Sequence, residues 1–216
     1  VVSRPELSRE LHMDRSTISK ITNALVERGI VQTREKGVST SKGGRRPEFL
    51  ELNYEIGHVV GMEIQTDRWF AVGIDLRGDT LFSLSGTVTD TDDGFKQAIH
   101  EAFGQVRLVS GAADSRLLGV VAALPGIINP HDGLIIRSNP LNVTEPTPIE
   151  PIVRESLPVP VLVENDANAC CWGELFRRKR DTVPNFATVL VELRRTRLGD
   201  PRRGGIGVGI GIVIDN

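Results

Sequence analysis

The 216-residue chain has only two cysteines, Cys170 and Cys171, and they are adjacent. Neighbours in sequence rarely close a disulfide, and no CxxC or other metal-ligand spacing occurs. A disulfide scaffold and a cysteine metal site are therefore excluded; two small, buried, reduced side chains are expected. No apolar run approaches the roughly 20 residues of a membrane span. No signal peptide is legible, so the expected compartment is the cytoplasm. An excess of one charge is also missing: 26 Lys and Arg stand against 28 Asp and Glu, a net charge of −2. What remains, 39% hydrophobic and 25% charged residues, is the composition of a soluble globular protein with room for a small and a larger domain.

The near-neutral total conceals a local asymmetry. From Arg15 to Arg46, eight basic residues (15, 20, 28, 34, 36, 42, 45 and 46) stand against two acidic ones (27 and 35), a net of +6. Such a segment carries the electrostatic mark of nucleic-acid binding. Within it, Ile18, Ile21 and Leu25 follow i, i+3, i+7, one apolar face of a helix. Asp14 stands at its N-cap position. Arg15, Ser16, Thr17, Ser19 and Lys20 make the opposite face near its start, short donors and acceptors plus two cations, which suit base edges and phosphates. The same pattern also fits an ordinary solvated amphipathic helix.

The preceding residues favour the first alternative. Ser3-Arg4-Pro5-Glu6 is a capping box that opens a short helix, with Leu7 and Leu11 on its buried side. His12 holds the turn, where a residue tolerant of left-handed backbone is wanted. Two short helices and a tight turn, the second with a basic first turn, predict a helix-turn-helix. Gly29 can end the second helix. Then Ile30–Arg34 and Arg45–Leu52 read as two strands around a Gly/Ser/Lys loop, a β-wing. In Gly43-Gly44-Arg45-Arg46-Pro47 a flexible, then cationic, then stiff composition can lay Arg45 and Arg46 into a narrow minor groove. A solvated linker is the alternative.

From Gly57 the pattern changes. Val59–Ile64, Phe70–Leu76 and Leu81–Thr87 read as strands, with Arg77-Gly78-Asp79 a hairpin turn. Asp92-Asp93-Gly94 opens a helix to about Val109, with Ala98, Ala102, Val106 and Val109 on one face. Leu117–Leu124 is a buried strand, Ile127–Asn142 is loop-like, and a helix covers about Pro148–Leu157. Val159–Val163 is a strand, Asp166–Arg180 a helix, and Phe186–Leu193 and Gly205–Ile214 are two further strands. Three antiparallel strands followed by strand–helix alternation predict a mixed sheet with helices packed on it. Ligands bind at the carboxyl ends of such buried strands. Two of these ends are chemically rich: Leu124-Pro125-Gly126, and Glu164-Asn165-Asp166-Ala167-Asn168. Asp166 could simply cap the helix. The functional alternative is polyol recognition, in which Glu164, Asn165 and Asp166, with Asn139 from the other loop, supply paired donors and acceptors for vicinal hydroxyls.

Val163-Glu-Asn-Asp-Ala-Asn168 through Trp172-Gly173-Glu174 resembles the ENDAN…GE signature of the ROK family, which groups sugar kinases with sugar-responsive repressors. Leu124-Pro125-Gly126, Gly133 and Ser138-Asn139 resemble that family's preceding run, and the stretch from Gly205 to Asn216 resembles its GTGIGAGI hairpin. The resemblance implies a fold of α/β class: an all-α/winged N-terminal helix-turn-helix domain over 1–52, then an actin-like, hexokinase-like (ribonuclease H-like) lobe with a mixed sheet over 53–216. It places Asn139, Asn165 and Asp166 on the sugar, with Asp166 matching the base of the kinases. The implied partners are double-stranded operator DNA, a small sugar or sugar-phosphate effector and a second copy in a homodimer or higher oligomer, with no membrane.

A rival expectation is an ATP-dependent sugar kinase carrying a DNA-binding arm. Phosphoryl transfer needs groups that cradle phosphates and a carboxylate for the metal. The family's DxGGT phosphate loop is matched here by Glu63-Ile64-Gln65-Thr66-Asp67, without either glycine, and its GTG threonine by Ile206. Both departures affect the nucleotide and spare the sugar cluster, so a repressor that is not an enzyme and uses no ATP is expected. Val143 replaces a family aromatic, which removes stacking on the sugar there. The run Arg194–Arg203, with five arginines and one acid, is either a solvated loop or a further nucleic-acid or subunit contact. The start at Val1-Val2 and the end at Asn216, ahead of the family's ExGH motif and His/Cys zinc site, read as about half of a full-length repressor, with no cofactor in this half.

Overall fold

The structure is a computed structural model and describes residues 1–34, 48–89, 91, 94–113, 115–154, 157–177, 185–194 and 205–214. The loop of the expected wing, with Arg45 and Arg46, lies outside the described residues, as do Asp92, Asp93, 178–180 and the basic run 195–203. The chain divides into two compact units, Val1–Gly57 and His58–Asn216.

The first unit is not all-α. It holds β1 (Val2–Ser3), α1 (Arg4–Glu10), α2 (Arg15–Glu27), β2 (Val31–Arg34) and β3 (Phe49–Leu52), and its strands form one antiparallel sheet in the order β1-β3-β2. β1 was not legible in the sequence because two residues carry no periodicity. The Glu6 carboxylate accepts from the Ser3 backbone N–H at 2.8 Å and from its hydroxyl at 2.7 Å, which fixes the start of α1. Between the helices His12 sits at φ 51°, the left-handed turn the sequence asks for. After α2, Gly29 at φ 70° allows its N–H to reach the Val26 carbonyl and the Ile30 N–H to reach that of Leu25. These two bonds are the Schellman closure that glycine favours. The Arg4 guanidinium ties α1 to α2 through Thr22 (2.9 Å) and Asn23 (3.0 Å) and also binds Glu48.

Two expectations fail in this unit. Leu11 is 56% exposed and Ile21 45% exposed, so neither belongs to the buried face. On α2 that face runs through Ile18 and Thr22, spaced i, i+4. Thr22 can be buried because its hydroxyl donates to the Ile18 carbonyl at 2.8 Å.

The second unit is built on a five-stranded mixed sheet in the order β11-β7-β4-β5-β6. Its strands are β4 (His58–Ile64), β5 (Arg68–Asp75), β6 (Thr80–Thr87), β7 (Leu117–Leu124) and β11 (Val161–Asn165). β4, β5 and β6 are antiparallel neighbours, while β7 pairs in parallel with both β4 and β11. α3 (Gly94–Ala112) lays Phe95, Ala98, Ile99, Ala102, Phe103 and Val106 into the core; Val109 is only half-buried. The segment expected to be loop contains β8 (Ile127–Asn129) and β9 (Leu134–Arg137), and with β10 (Thr147–Pro148) these form a separate antiparallel sheet. Its Ile135 is fully buried beside Ile149 and Val153, and the buried face compensates for strands too short to show alternation. α4 (Glu150–Arg154) is shorter than expected, α5 runs Asp166–Arg177, and β12 (Phe186–Arg194) and β13 (Gly205–Val213) form an antiparallel pair.

His58, at the start of β4, is wholly buried with Ser115 Oγ 2.9 Å from Nδ1 and Ser110 Oγ 3.0 Å from Nε2. Burial pushes the imidazole below its usual range, against a smaller upward pull from Ser115. A histidine whose folded pKa is depressed contributes stability that is complete above its unfolded value, about 6.5, and lost as pH falls through the folded value. Chemical denaturation from neutral to mildly acidic pH should show the protein losing stability below about pH 6.5. His58→Gln, which can still bond both serines but cannot titrate, should flatten that slope; an unchanged slope would place the acid sensitivity elsewhere.

Candidate functional site

The cleft is assembled from three chain segments. β7 ends at Leu124, and Pro125-Gly126 turns the chain toward β8. Gly126 has φ 133°, and a Cβ there would stand 2.5 Å from the Arg137 carbonyl oxygen and 2.8 Å from Ser138 Cβ. The close approach brings the loop after β9 against the end of β7. Buried Ser138 holds it there: its hydroxyl donates to the Pro125 carbonyl at 2.5 Å and accepts from the Leu141 N–H at 3.3 Å. Ser138 and Val143 also exchange backbone hydrogen bonds of 2.9 and 2.8 Å, which closes the loop carrying Asn139 and Pro140. Val143 itself faces the core, so the position that replaces the family aromatic does not line the cleft.

The second segment is the junction of β11 and α5. Here the expected roles change. Asn165, not Asp166, caps the helix: its Oδ1 accepts from the N–H groups of Ala167 (3.0 Å) and Asn168 (3.2 Å). Its Nδ2 donates across to the Gly126 carbonyl at 3.0 Å, so one side chain joins the two strand ends. Asp166 is the first residue of α5, is buried, and its Oδ1 accepts from the Ala167 N–H at 2.8 Å. Glu164 does not line the cleft. Its Oε1 accepts from the Asn165 N–H (2.8 Å) and from Asn168 Nδ2 (3.2 Å), bracing the junction from behind.

The third segment is the glycine-rich strand pair. β13 crosses the start of α5 closely enough that a Cβ on Gly209 would meet Ala167 Cβ at 2.9 Å, and one on Gly211 would meet the Ala167 carbonyl oxygen at 2.5 Å and Cys171 Sγ at 2.6 Å. Glycine here serves strand–helix packing. Cys171 is buried, as expected, whereas Cys170 is exposed. Partial burial, then Glu63, Asp166 and Glu192, push the Cys170 thiol above its usual range.

Together these segments enclose a cleft of about 320 Å³, lined among others by Arg137, Asn139, Asn165, Asp166 and Glu192. Three of the four expected polyol-binding residues thus come together, and Glu164 stands behind them. Arg137 and Glu192 were not singled out in the sequence. Arg137 Nε donates to Asn139 Oδ1 at 3.3 Å and so orients that amide. Arg137 ends β9 two residues before Asn139 and Glu192 lies on β12, and nothing in the local pattern of either strand marks it as a cleft residue. Just past the carboxyl end of β4, on the same sheet edge as the ends of β7 and β11, Gln65 is buried, its Nε2 donates to Glu63 Oε1 at 2.8 Å and its N–H to the Arg68 carbonyl at 2.8 Å. In the turn that the resemblance matches to the family's glycine-lined phosphate loop, Gln65 is buried, Thr66 half-buried and Asp67 exposed, and neither glycine is present. Among the described residues no three His, Cys, Asp or Glu side chains are grouped to hold a metal ion, and no helix is long and apolar enough to cross a membrane.

In the first unit Arg15, Ser16 and Lys20 on α2 are exposed and Thr17 and Ser19 half-buried. The Asp14 carboxylate accepts from the hydroxyls of Ser16 (2.9 Å) and Thr17 (3.4 Å), which hold it below the usual carboxylate range. Ser19 donates to the Arg15 carbonyl at 2.8 Å. The three hydroxyls thus spend their donor protons on Asp14 and the Arg15 carbonyl and keep acceptor lone pairs, while Arg15 and Lys20 are the cations presented outward.

Residues 71–216 match the model of the ROK family. The xylose repressor of Caldicellulosiruptor bescii is 27% identical over 218 residues, covering 100% of this chain and 51% of its own length. The chain thus spans about half the length of the curated relatives it matches. A solved ROK family transcriptional regulator, a homologue of the Escherichia coli MLC protein, superposes with a TM-score of 0.76 at 21% identity over 99% of this chain and 50% of its own. A ROK family glucokinase from Streptomyces griseus, solved with glucose and AMPPNP, gives 0.55 at 22% identity over 74% of this chain and 45% of its own. The second unit has the actin-like, sugar-kinase-like lobe with a mixed sheet, and the chain belongs to the ROK family.

Proposed function

We propose that this chain is a sugar-responsive transcriptional regulator, most simply a repressor acting in the cytoplasm. In this reading the first unit is a winged helix-turn-helix that reads operator DNA through Arg15, Ser16, Thr17, Ser19 and Lys20, with Arg45 and Arg46 on the wing. The second unit is the sensor, taking a carbohydrate effector on Asn139, Asn165 and Asp166, with Glu164 bracing them. The observation that carries the reading is one chain that joins a helix presenting Arg15 and Lys20 outward to a lobe whose sugar cluster lines a cleft while the turn matched to the phosphate loop lacks both glycines. The relatives named xylose repressor match the chain along its whole length, and one named DNA-binding transcriptional repressor Mlc matches 84% of it. A sugar kinase is the second reading, favoured by Asp166 in the cleft and by the glucokinase relative.

A sensor needs an effector that binds one state of the regulator better than the other, since only differential affinity shifts a population. Effector and operator should therefore be separable by substitution. Arg15→Ala with Lys20→Ala should weaken operator binding roughly 30-fold or more, from about 1–3 kcal/mol per lost contact. Asp166→Ala should leave operator affinity unchanged and remove the response to sugar. Fluorescence anisotropy with labelled operator, with and without a sugar panel, reads both. A coupled ATP-turnover assay on the same samples should stay at background, and sugar-dependent turnover abolished by Asp166→Ala would establish the kinase instead.

A further inference from the structure

Arg4 opens α1, and each of its three guanidinium nitrogens is engaged with a different residue. Nε donates to the Thr22 hydroxyl at 2.9 Å, Nη2 to Asn23 Oδ1 at 3.0 Å and Nη1 to the Glu48 carboxylate. Thr22 and Asn23 both lie on α2. Thr22 is buried one turn after Ile18, while Asn23 continues the i, i+4 row that runs through Arg15 and Ser19. Glu48 leads into β3 and stands two residues after Arg46 in the sequence. The ladder of β1 on β3 pairs Val2 with Leu50 and Ser3 with Phe49, which brings Arg4 next in line with Glu48. One side chain thus joins the row that carries Arg15 and Ser19 to the strand that follows the expected wing loop.

Stability alone does not account for this arrangement. The Arg4 side chain is 23% exposed and that of Glu48 41% exposed, and ion pairs this open to water contribute little to stability. What the fork supplies is geometry. A planar guanidinium holds its N–H groups in fixed directions, so it binds three acceptors only while they keep one mutual arrangement. A lysine ammonium in the same place is a point charge on a flexible stem and fixes no such arrangement. Glu48 already neutralises the Arg4 charge, which leaves little of it for a phosphate. We infer that Arg4 is a positioning residue for DNA specificity. It holds the row of Arg15 and Ser19 at a set place relative to β3, so that helix and wing meet an operator in register, and it does not itself touch DNA. Hydrogen bonds to base edges need that register, whereas attraction to the phosphate backbone survives small displacements. The inference rests on the proposed reading of the first unit as a DNA-binding domain.

The probe is a duplex that the wild-type chain selects from a random-sequence library, with a scrambled duplex of the same composition as reference. Anisotropy titrations of both at two salt concentrations test the inference. Arg4→Lys keeps the charge and loses the fork. It should bind the selected duplex roughly tenfold more weakly, stay within about twofold of wild type on the scrambled one, and keep the wild-type salt slope because no phosphate contact is lost. Thr22→Val, which keeps the shape and removes one acceptor of the fork, should lower the same preference. The double substitution should be no worse than Arg4→Lys alone, since both act through one clamp. A residue that only stabilised the unit would, when replaced, weaken binding to both duplexes alike. Equal losses on the two duplexes, a shallower salt slope, an unchanged preference in Arg4→Lys, or losses that add in the double substitution would each overturn the inference and leave wild-type operator binding standing. A wild-type chain that selects no duplex would instead remove the proposed function, and this inference with it.

Discussion

Gly86→Ala should destabilise the second unit by about 3 kcal/mol, at the upper end of what overpacking a core costs. Gly86 on β6 pairs directly with Trp69 on β5. The Trp69 indole is fully buried and lies across the glycine, so a Cβ at 86 would stand 2.3 Å from Nε1 and 2.5 Å from Cε2. Neither atom can retreat, because the ring is enclosed on all sides. The same device recurs four pairs along the ladder, where the Phe82 ring covers Gly73 and a Cβ there would be 2.4 Å from Cε1. Removing side chains on one strand makes room for aromatic rings on the other. The indole N–H has no hydrogen-bond partner among the described residues, which shows how far packing decides this site over polar satisfaction. Urea denaturation followed by far-ultraviolet circular dichroism measures the effect, and an unchanged midpoint would mean that Trp69 does not sit over Gly86.

Gly126→Ala should cost at least as much, about 3 kcal/mol or more, and should also open the cleft. Two effects add at one position. A side chain at φ 133° carries roughly 1–3 kcal/mol of backbone strain. Its Cβ would then press on the Arg137 carbonyl oxygen at 2.5 Å, a backbone atom with no rotamer to change. Relief means moving the loop that carries Arg137, Asn139 and Pro140 away from the end of β7. That movement pulls the Asn165 amide from the Gly126 carbonyl and disturbs the start of α5. Gly133→Ala provides the control: its φ is 63°, but a Cβ there meets nothing within 4 Å, so it should carry strain without displacing the cleft. Equal losses in the two variants would contradict the packing argument.

These two glycines mark the limit of what could be read in advance. Turn glycines and the turn histidine are legible because their requirement is local: Gly29, Gly78 and His12 all adopt the left-handed backbone that their sequence contexts call for. The long strands and α3 are legible for a similar reason, since period-two and period-3.6 patterns persist over enough residues. Gly86 and Gly73 depend on cross-strand register, which no local pattern encodes. β8, β9 and β10 are short, and their burial comes from residues far along the chain. At the site, the clustering of Asn165 and Asp166 after an apolar strand was enough to find the cleft. It was not enough to divide the labour there. An N-cap and a ligand donor want the same amide, and only the geometry shows Asn165 holding both the helix and the Gly126 carbonyl. The exposure of Leu11 and Ile21 likewise could not be read from spacing, because periodicity defines a face without saying what covers it.

The most direct test of operator recognition by α2 is a titration of labelled operator duplex at two salt concentrations, with the wild-type chain and the Arg15→Ala, Lys20→Ala variant. Each cation that neutralises a phosphate contributes a slope of about −0.9 to log K against log salt. The expected result is tight, salt-sensitive binding by the wild type, and a variant with a shallower slope and a much weakened preference for operator over random duplex. Binding that ignores salt, or a variant indistinguishable from wild type, would contradict the assignment of α2 as the DNA-reading helix.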